Sequence, residues 1–303
     1  MVSNSSPSIL LVGGSGFVSG ALARLAVSQS YKVWAVTRGQ HALPAGVTGL
    51  VADRHDPAAF EAAVAGTGMK WDLVVECIGY DPADLRQDVA VFRERAGHFI
   101  FISSDFVYDP YNRKYPQPEE TEYFWQDGYG WKKRLCELEL IQKETAPMPW
   151  TIVRPCYVYG PGSQLGTLPY HRRDPQLIER LKAGEAVRLV GGGHFLQHPI
   201  YVDDLARVIL DLAGNPKAYG QIFNAAGPDL VEAAEYFRIV TRCLGVDLKV
   251  EECSVSAHLE AHPEDGPSCC NRYYDMSKLR QLGGYVPDTT LEAGLKKQVE
   301  SMR

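Results

Sequence analysis

The sequence has 303 residues, of which 45% are hydrophobic and 22% charged, and its formal net charge is −6. These values are typical of a soluble globular chain that is long enough for one large α/β domain with a smaller second lobe. The acidic balance argues against a nucleic-acid partner, because such partners usually require a basic face.

The start of the chain, MVSNSSPSIL, lacks the basic segment and the long apolar core of a secretory signal. No stretch reaches the roughly 18 apolar residues that a membrane-spanning helix requires. The seven cysteines form no CxxC pair, and no histidine and cysteine cluster has the spacing of zinc ligands. We therefore expect a cytoplasmic protein with reduced thiols and no bound metal.

Segments of strand and helix character alternate through the first half of the chain. Apolar runs typical of buried strands occur at residues 8–14, 32–38, 49–53, 72–79, 98–104 and 150–156. Helical patterns occur between them, at residues 17–30, 57–66, 83–95 and from Tyr129 onwards. The alternation predicts an α/β fold with a doubly wound parallel sheet, forming a dinucleotide-binding domain over residues 7–160.

From about residue 161 the chain is richer in turn-forming residues. Helical patterns occur at residues 177–184, 203–214, 231–244 and 291–302, and strand patterns at 199–202, 221–227 and 247–253. We predict a smaller substrate lobe over residues 161–303. The segment from about 198 to 227 is expected to contribute elements back to the first domain.

A glycine-rich loop joins the first predicted strand to the first predicted helix. Glycines let the backbone approach a pyrophosphate, and the start of a helix offers free N–H groups and the positive end of its dipole. This position predicts dinucleotide binding by Gly13, Gly16, Phe17 and Val18. Ser19 stands where a third glycine is usual, so we expect slightly looser packing there.

The ends of the second and third predicted strands bear on the choice of cofactor. NAD-selective proteins usually carry an acid at the end of the second strand to bind the ribose diol. Here Thr37 and Arg38 occupy that place, and a cation without an acid suits a 2′-phosphate. Arg38 as a solvated strand-end residue is the alternative. Asp53, at the end of the third strand, is placed to accept a hydrogen bond from the adenine amino group.

Three further motifs occur in chain order: ISSDFVYD at 102–109, YGWKK at 129–133 and RPCYVYGPG at 154–162. Together with the glycine loop they resemble the extended short-chain dehydrogenase/reductase family of the NAD-dependent epimerase/dehydratase type. The resemblance runs nearly end to end, because YVDDLARVI at 201–209 and DMSKLRQLGGYVP at 275–287 are also similar to that family. It implies a Rossmann fold and a nicotinamide cofactor.

The YGWKK motif contains two candidate lysines. On a helix, Tyr129 and Lys133 lie about 6 Å apart along the axis, and Lys132 is also near that face, so spacing does not decide between the lysines. The family pattern YxxxK selects Lys133. The resemblance then implies that Tyr129 is the general acid or base, and that Lys133 binds the nicotinamide ribose and lowers the pKa of Tyr129. Ser104 would hydrogen-bond the reacting oxygen, with Ser103 as the fallback.

The resemblance also implies further cofactor and substrate contacts. The other expected cofactor contacts are Arg54, Cys77, Ile78, Gly79, Ser103, Pro155 and Tyr157. The candidate substrate contacts are Tyr80, Asp105, Phe106, Tyr159, Gln197 and Arg272. Core packing is an equal alternative for the aromatic members of this second group.

The chain departs from the family pattern at two places. The 4,6-dehydratases carry an Asp-Glu pair where this chain has Asp105-Phe106, so the base that removes a ring proton is absent. The SDFVYD segment is more similar to that of 4-keto-sugar reductases, which use NADPH. Gln197 stands where nucleotide-sugar enzymes place an arginine for the diphosphate. Arg172, Arg173 or Arg272 is a substitute, unless the substrate has no diphosphate.

These observations favour an NADP-dependent keto-reductase acting on a sugar-like substrate, with or without a nucleotide. A nucleotide-sugar epimerase with tightly bound NAD is the first alternative. The segments SSDFVYD and HFLQHPIYVDDLA also resemble a subset related to chloroplast stem-loop-binding proteins. A non-catalytic RNA-binding or regulatory Rossmann protein is therefore the second alternative, although nucleic acid is not the expected partner. Whether the chain forms a homodimer is an open question at this point.

Overall fold

A parallel seven-stranded sheet forms the centre of the computed structural model, which describes residues 6–167 and 173–302. The strands in the described residues, both in this sheet and outside it, are β1 (Ser8–Val12), β2 (Lys32–Thr37), β3 (Val47–Val51), β4 (Leu73–Glu76), β5 (Phe99–Ile102), β6 (Trp150–Pro155), β7 (Val158–Tyr159), β8 (Val187–Val190), β9 (Leu196–Gln197), β10 (Ile200–Tyr201), β11 (Gln221–Ala225), β12 (Val231–Glu232) and β13 (Val250–Cys253). The order across the sheet is β11-β6-β5-β4-β1-β2-β3. The predicted doubly wound α/β fold is confirmed.

The helices cover both faces of this sheet and also pack together in the second half of the chain. They are α1 (Phe17–Ser28), α2 (Pro57–Ala65), α3 (Pro82–Phe92), α4 (Gly128–Ile141), α5 (Leu177–Lys182), α6 (Val202–Leu212), α7 (Ala233–Leu244), α8 (Val255–Ala261), α9 (Ser277–Gln281) and α10 (Leu291–Ser301). Within the described residues, no helix combines the length and the apolar character that a bilayer crossing needs. All seven cysteines are free thiols.

Three apolar cores hold these layers together. Leu22 of α1 and Ile209 of α6 pack on one face of the sheet, whereas Phe60 of α2 and Phe92 of α3 pack on the other. A third core lies between α5, α7 and α10. Every residue of β1 is buried, as expected for a central strand covered on both faces.

The strand β11 comes from the second half of the chain but pairs in parallel with β6 of the first half, with Phe223 opposite Val153. Helix α6, which precedes β11, packs in the same core as α1. Segments from both halves therefore build the central sheet. The carboxyl ends of the parallel strands lie at one edge, where ligands bind in doubly wound folds.

Candidate active site

A cavity of about 570 Å³ lies at the carboxyl ends of the central strands. Its walls combine residues that follow β1, β4, β5 and β6 with residues of α4. They are Gly16, Phe17, Val18, Ser19, Cys77, Ile78, Tyr80, Ile102, Ser103, Ser104, Asp105, Phe106, Tyr129, Lys133, Pro155, Cys156, Tyr157, Val158, Arg173 and Arg272. The cavity thus brings the glycine loop together with the serine, tyrosine and lysine of the predicted catalytic set.

Helix α4 presents Tyr129 to this cavity. The helix begins after Asp127, whose carboxylate accepts a hydrogen bond from the Gly128 N–H at 2.7 Å. Its third residue approaches the segment 105–107 so closely that a Cβ on Gly130 would lie 2.0 Å from the Phe106 carbonyl oxygen. Only glycine permits this approach, which brings the Tyr129 ring to a centroid distance of 6.1 Å from the Phe106 ring.

The two lysines of the YGWKK motif lie in different environments. Lys132 is exposed, whereas Lys133 is 2% exposed and lines the cavity. The Lys133 Nζ donates hydrogen bonds to the carbonyl oxygens of Gly79 and Ile102, both at 2.8 Å. Since an ammonium group has three N–H bonds, one donor remains for a ligand in the cavity.

The pKa values of Tyr129 and Lys133 differ from those that the family pattern implies. Burial raises the pKa of Tyr129 above that of a free tyrosine, and a hydrogen bond with Ser104 only partly opposes this rise. Burial also lowers the pKa of Lys133 to about 8, against the opposing effect of Glu76. The expectation that Lys133 lowers the pKa of Tyr129 is therefore not met. Tyr129 is a protonated phenol at neutral pH, which makes it a proton donor.

The two adjacent serines have different partners. The Ser103 hydroxyl donates to the buried Glu137 carboxylate at 2.7 Å. The Ser104 Oγ accepts from the Phe106 N–H at 3.2 Å and lies 3.5 Å from the Asp105 carboxylate. Its other side-chain contact is the hydrogen bond with Tyr129, so Ser104 and Tyr129 face the same part of the cavity.

A second cavity of about 320 Å³ adjoins the first and shares Gly16, Ile78 and Tyr80 with it. Gly16 lines both cavities, and a Cβ added there would meet Ser19 Oγ at 3.2 Å. The Ser19 Oγ also accepts from the Gly16 N–H at 3.0 Å, so it closes the loop rather than loosening it. Helix geometry leaves the N–H groups of Phe17 and Val18 without intrahelical acceptors. The residues present therefore fit a dinucleotide that extends from one cavity into the other.

The second cavity is lined by Thr37, Arg38 and Asp53. Arg38 is exposed and has no ion pair or hydrogen bond of its side chain within the described part of the chain. Arg54 also lines this cavity, but it is buried and forms ion pairs with Glu76, Asp84 and Asp88 at 2.7, 3.1 and 3.2 Å. Those carboxylates engage its guanidinium, so Arg38 is the cation that a phosphate can reach.

Three predicted contacts lie away from the walls of the two cavities. Tyr159 is buried in the third apolar core, where its hydroxyl donates to the Thr290 carbonyl oxygen at 3.2 Å. Gln197 is buried in β9, and neither polar atom of its side chain has a partner within residues 6–167 and 173–302. Gly79 contributes its carbonyl to Lys133 instead of contacting the cavity. Arg172 lies outside the described residues.

The candidate substrate side of the cavity contains a buried ion pair. Asp105 accepts hydrogen bonds from Arg272 Nε at 2.8 Å, from Arg272 Nη2 and from the Tyr274 hydroxyl. The Arg272 guanidinium also lies over the Phe106 ring, 4.8 Å from its centroid. Asp105 and Phe106 therefore hold Arg272 at the cavity wall.

A buried network that the sequence motifs did not reveal supports the two serines. Arg154 donates to both carboxylate oxygens of Glu137, at 2.8 and 2.7 Å, and to the Tyr108 hydroxyl at 3.0 Å. Arg154 holds the pKa of Glu137 below its usual range, although burial opposes this. Since Glu137 also accepts from Ser103, the network joins α4 and β6 to the end of β5.

Two proteins of known name are similar to this chain in sequence. A 41 kDa chloroplast stem-loop binding protein from Arabidopsis thaliana is 26% identical over 75% of this chain, and the match spans 61% of that protein. A UDP-N-acetyl-alpha-D-glucosaminuronate decarboxylase from Bacillus cytotoxicus is 22% identical over 97% of both chains.

A solved structure has the same fold. UDP-glucuronic acid 4-epimerase from Bacillus cereus, in complex with UDP-glucuronic acid and NAD, superposes with a TM-score of 0.77. The alignment covers 97% of this chain and 98% of that one at 17% identity, which shows a common fold. The model of the NAD dependent epimerase/dehydratase family matches residues 9–226, which is more than half of the chain. The chain therefore belongs to the NAD dependent epimerase/dehydratase family.

Proposed function

We propose that the chain is an NADP-preferring oxidoreductase that reduces a carbonyl carbon of a sugar-like substrate. The observation that carries this proposal is the convergence of Ser104, Tyr129 and Lys133 on the cavity that begins at the glycine loop. A nicotinamide cofactor bound there would supply the hydride. The remaining chemistry is a proton transfer to the carbonyl oxygen, which the chain itself can perform.

The residues divide that chemistry between them. The Tyr129 phenol donates its proton to the carbonyl oxygen as the carbon is reduced. The Ser104 hydroxyl hydrogen-bonds the same oxygen and orients it. Lys133, anchored by two carbonyl oxygens, directs its remaining N–H towards the ribose. The Tyr129 phenol is protonated at neutral pH, which is the form that gives a proton in the reductive direction.

The cavity does not favour dehydration. Phe106 offers no base, and the Asp105 carboxylate is engaged by Arg272 and Tyr274. These three hydrogen bonds hold the carboxylate as the partner of Arg272 and Tyr274, and not as a base for the substrate.

Epimerisation with tightly bound NAD is the second candidate, and the solved epimerase with NAD and the family match favour it. The third candidate, an RNA-binding role, is based on the similarity to the chloroplast stem-loop binding protein from Arabidopsis thaliana. The intact set of serine, tyrosine and lysine at the cavity favours an enzyme over that role.

A mass spectrum of small molecules released from the purified protein separates the candidates. Empty protein that then binds NADPH supports the reductase, whereas stoichiometric NAD supports the epimerase. Failure to bind any nicotinamide cofactor, with salt-sensitive RNA binding instead, would contradict both.

We expect NADPH to bind about 10- to 100-fold more tightly than NADH. Arg38 offers a charged donor fork at the end of β2, and hydrogen bonds to charged groups contribute about 1.5–3 kcal/mol. Because Arg38 is exposed, screening favours the lower end at physiological salt. Changing Thr37→Asp together with Arg38→Ala should reverse the preference, since it adds repulsion and removes attraction. Fluorescence titration of both reduced cofactors measures the ratio.

Lys32→Ala is the matched control for the cofactor titration. Lys32 is an exposed cation at the opposite end of the same strand, so its removal should leave the ratio of affinities unchanged. Equal affinities of the unaltered protein for NADPH and NADH would show that Arg38 is only a solvated residue. The epimerase candidate would then move ahead of the reductase.

A further inference from the structure

The substrate side of the cavity has a cation with unused binding capacity. Arg272 lines the cavity and is 2% exposed, and its Nη1 has no hydrogen-bond partner among the described residues. A buried guanidinium nitrogen without an acceptor is costly, because it has lost its water without gaining a replacement. An acceptor supplied by a ligand would remove that cost.

Asp105 prepares Arg272 for such a ligand. The carboxylate engages Nε and Nη2, and the Phe106 ring lies against the guanidinium. These contacts fix the orientation of the guanidinium and leave Nη1 as its free edge. The chain has therefore already met the entropic cost of ordering a long side chain, which increases the affinity for a complementary group.

The charges at the cavity wall favour an anion. Arg173, Arg272 and Lys133 line the cavity, and Asp105 is the carboxylate among its described lining residues. Arg173 lies 5.5 Å from the centroid of the Phe17 ring, so it is on the side of the glycine loop. Arg272 lies on the other side, with Asp105 and Phe106. The positive charge at Arg272 is thus separate from the charge near the proposed pyrophosphate position.

We propose that the substrate carries a carboxylate that binds Arg272 Nη1, which makes Arg272 the residue that selects a sugar acid or related hydroxy acid. This inference rests on the proposed function. Asp105, the partner of Arg272, directly follows Ser104, so the carboxylate lies close to the reacting carbon. A nucleotide diphosphate would lie farther away, because the sugar ring separates it from that carbon.

The test is a binding measurement on the purified full chain saturated with NADPH. Calorimetry compares UDP-glucuronic acid with UDP-glucose, and free D-glucuronate with D-glucose. We expect at least one carboxylate probe to bind about 10-fold or more tightly than its neutral partner, as a charge-assisted hydrogen bond predicts. Arg272→Gln should reduce this ratio to near one and change the affinity for the neutral probe less than about threefold.

Two further variants keep the test decisive. Arg272→Gln leaves Asp105 unpaired, so Asp105→Asn combined with Arg272→Gln removes both charges and should show the same loss of discrimination. Arg280→Gln removes an exposed arginine from the same part of the chain and should leave the ratio unchanged. Thermal unfolding and NADPH titration of each variant show whether fold and cofactor binding are intact.

Two outcomes would overturn the inference. In one, neither carboxylate probe binds more tightly than its neutral partner while NADPH binding is intact. In the other, Arg272→Gln weakens UDP-glucuronic acid and UDP-glucose equally, which would assign Arg272 to the diphosphate. Loss of NADPH binding in the unaltered protein would instead contradict the proposed function.

Discussion

Replacing Tyr129 by phenylalanine is expected to lower turnover by about 10²- to 10⁴-fold, because it removes only the proton donor. This loss corresponds to about 2.7–5.5 kcal/mol of transition-state stabilisation. Tyr129 is 48% exposed, and its ring lies at centroid distances of 6.3 Å from Tyr80 and 6.1 Å from Phe106. Phenylalanine preserves these ring contacts, so folding and cofactor affinity should change little. Steady-state oxidation of NADPH and a cofactor titration measure the two effects.

The control is Tyr123→Phe, which makes the same chemical change at a half-exposed tyrosine outside the cavity. The two lysines extend the test. Lys133→Met should reduce both turnover and cofactor affinity, because the buried ammonium is lost, whereas Lys132→Met should reduce neither by much. Turnover above about a tenth of the original value in Tyr129→Phe would remove Tyr129 from the mechanism.

The second large effect concerns stability. Arg154→Met should lower the free energy of unfolding by about 3–5 kcal/mol, because it leaves the buried Glu137 carboxylate without its main partner. Arg134 still pairs with Glu137 at 2.8 Å, which favours the lower end of that range. Urea unfolding followed by circular dichroism measures the change.

Arg86→Met is the matched control for Arg154→Met. Arg86 also pairs with a glutamate of α4, Glu139 at 2.7 Å, but Arg86 is 57% exposed. Exposed pairs contribute about 0–1 kcal/mol, so this variant should be close to the unaltered protein. Combining Arg154→Met with Glu137→Leu removes the unpaired charge and should recover part of the loss. Equal effects of Arg154→Met and Arg86→Met would contradict the role assigned to the buried network.

The Glu137 pair also gives stability a defined pH dependence. Its pKa is lowered in the folded state, so its contribution is fully present above the pKa of an unfolded glutamate and is lost as the pH falls through the folded value. The Arg154→Met variant should therefore lose less stability on acidification than the unaltered protein does.

Periodicity and local motifs were sufficient to predict the sheet and the glycine loop. The strand predicted at 49–53 begins two residues earlier, at Val47, because its pairing with β2 extends back from the apolar run. The short strands β8, β9 and β12 were not predicted. They have two to four residues each, too few for a periodic pattern to emerge.

Less of the candidate site than of the fold could be predicted from the sequence, because many contacts in the site join residues that are distant in sequence. Tyr129 and Lys133 lie four residues apart, so helix geometry could suggest their cooperation. The contact between Asp105 and Arg272 spans 167 residues, and no local pattern encodes it. Tyr159 lies in a motif that suggested a substrate contact, but its ring packs in the third apolar core with α5, α7 and α10. Arg134 lies three residues before Glu137 on the same helix, but the partners Ser103 and Arg154 could be found only from the three-dimensional arrangement.

The pairing of β11 with β6 has a consequence for protein engineering. Asn224 of β11 accepts a hydrogen bond from the Tyr108 hydroxyl at 2.6 Å and donates to the Gln117 carbonyl oxygen at 3.0 Å. The backbone N–H of Asn224 donates to the Glu119 carboxylate at 2.9 Å. A chimera that exchanges the second half of the chain for that of a relative would thus also replace the support of the serine segment. Such a transplant therefore needs an asparagine at position 224 of the incoming half, so that Tyr108, Gln117 and Glu119 of the retained half keep their partner.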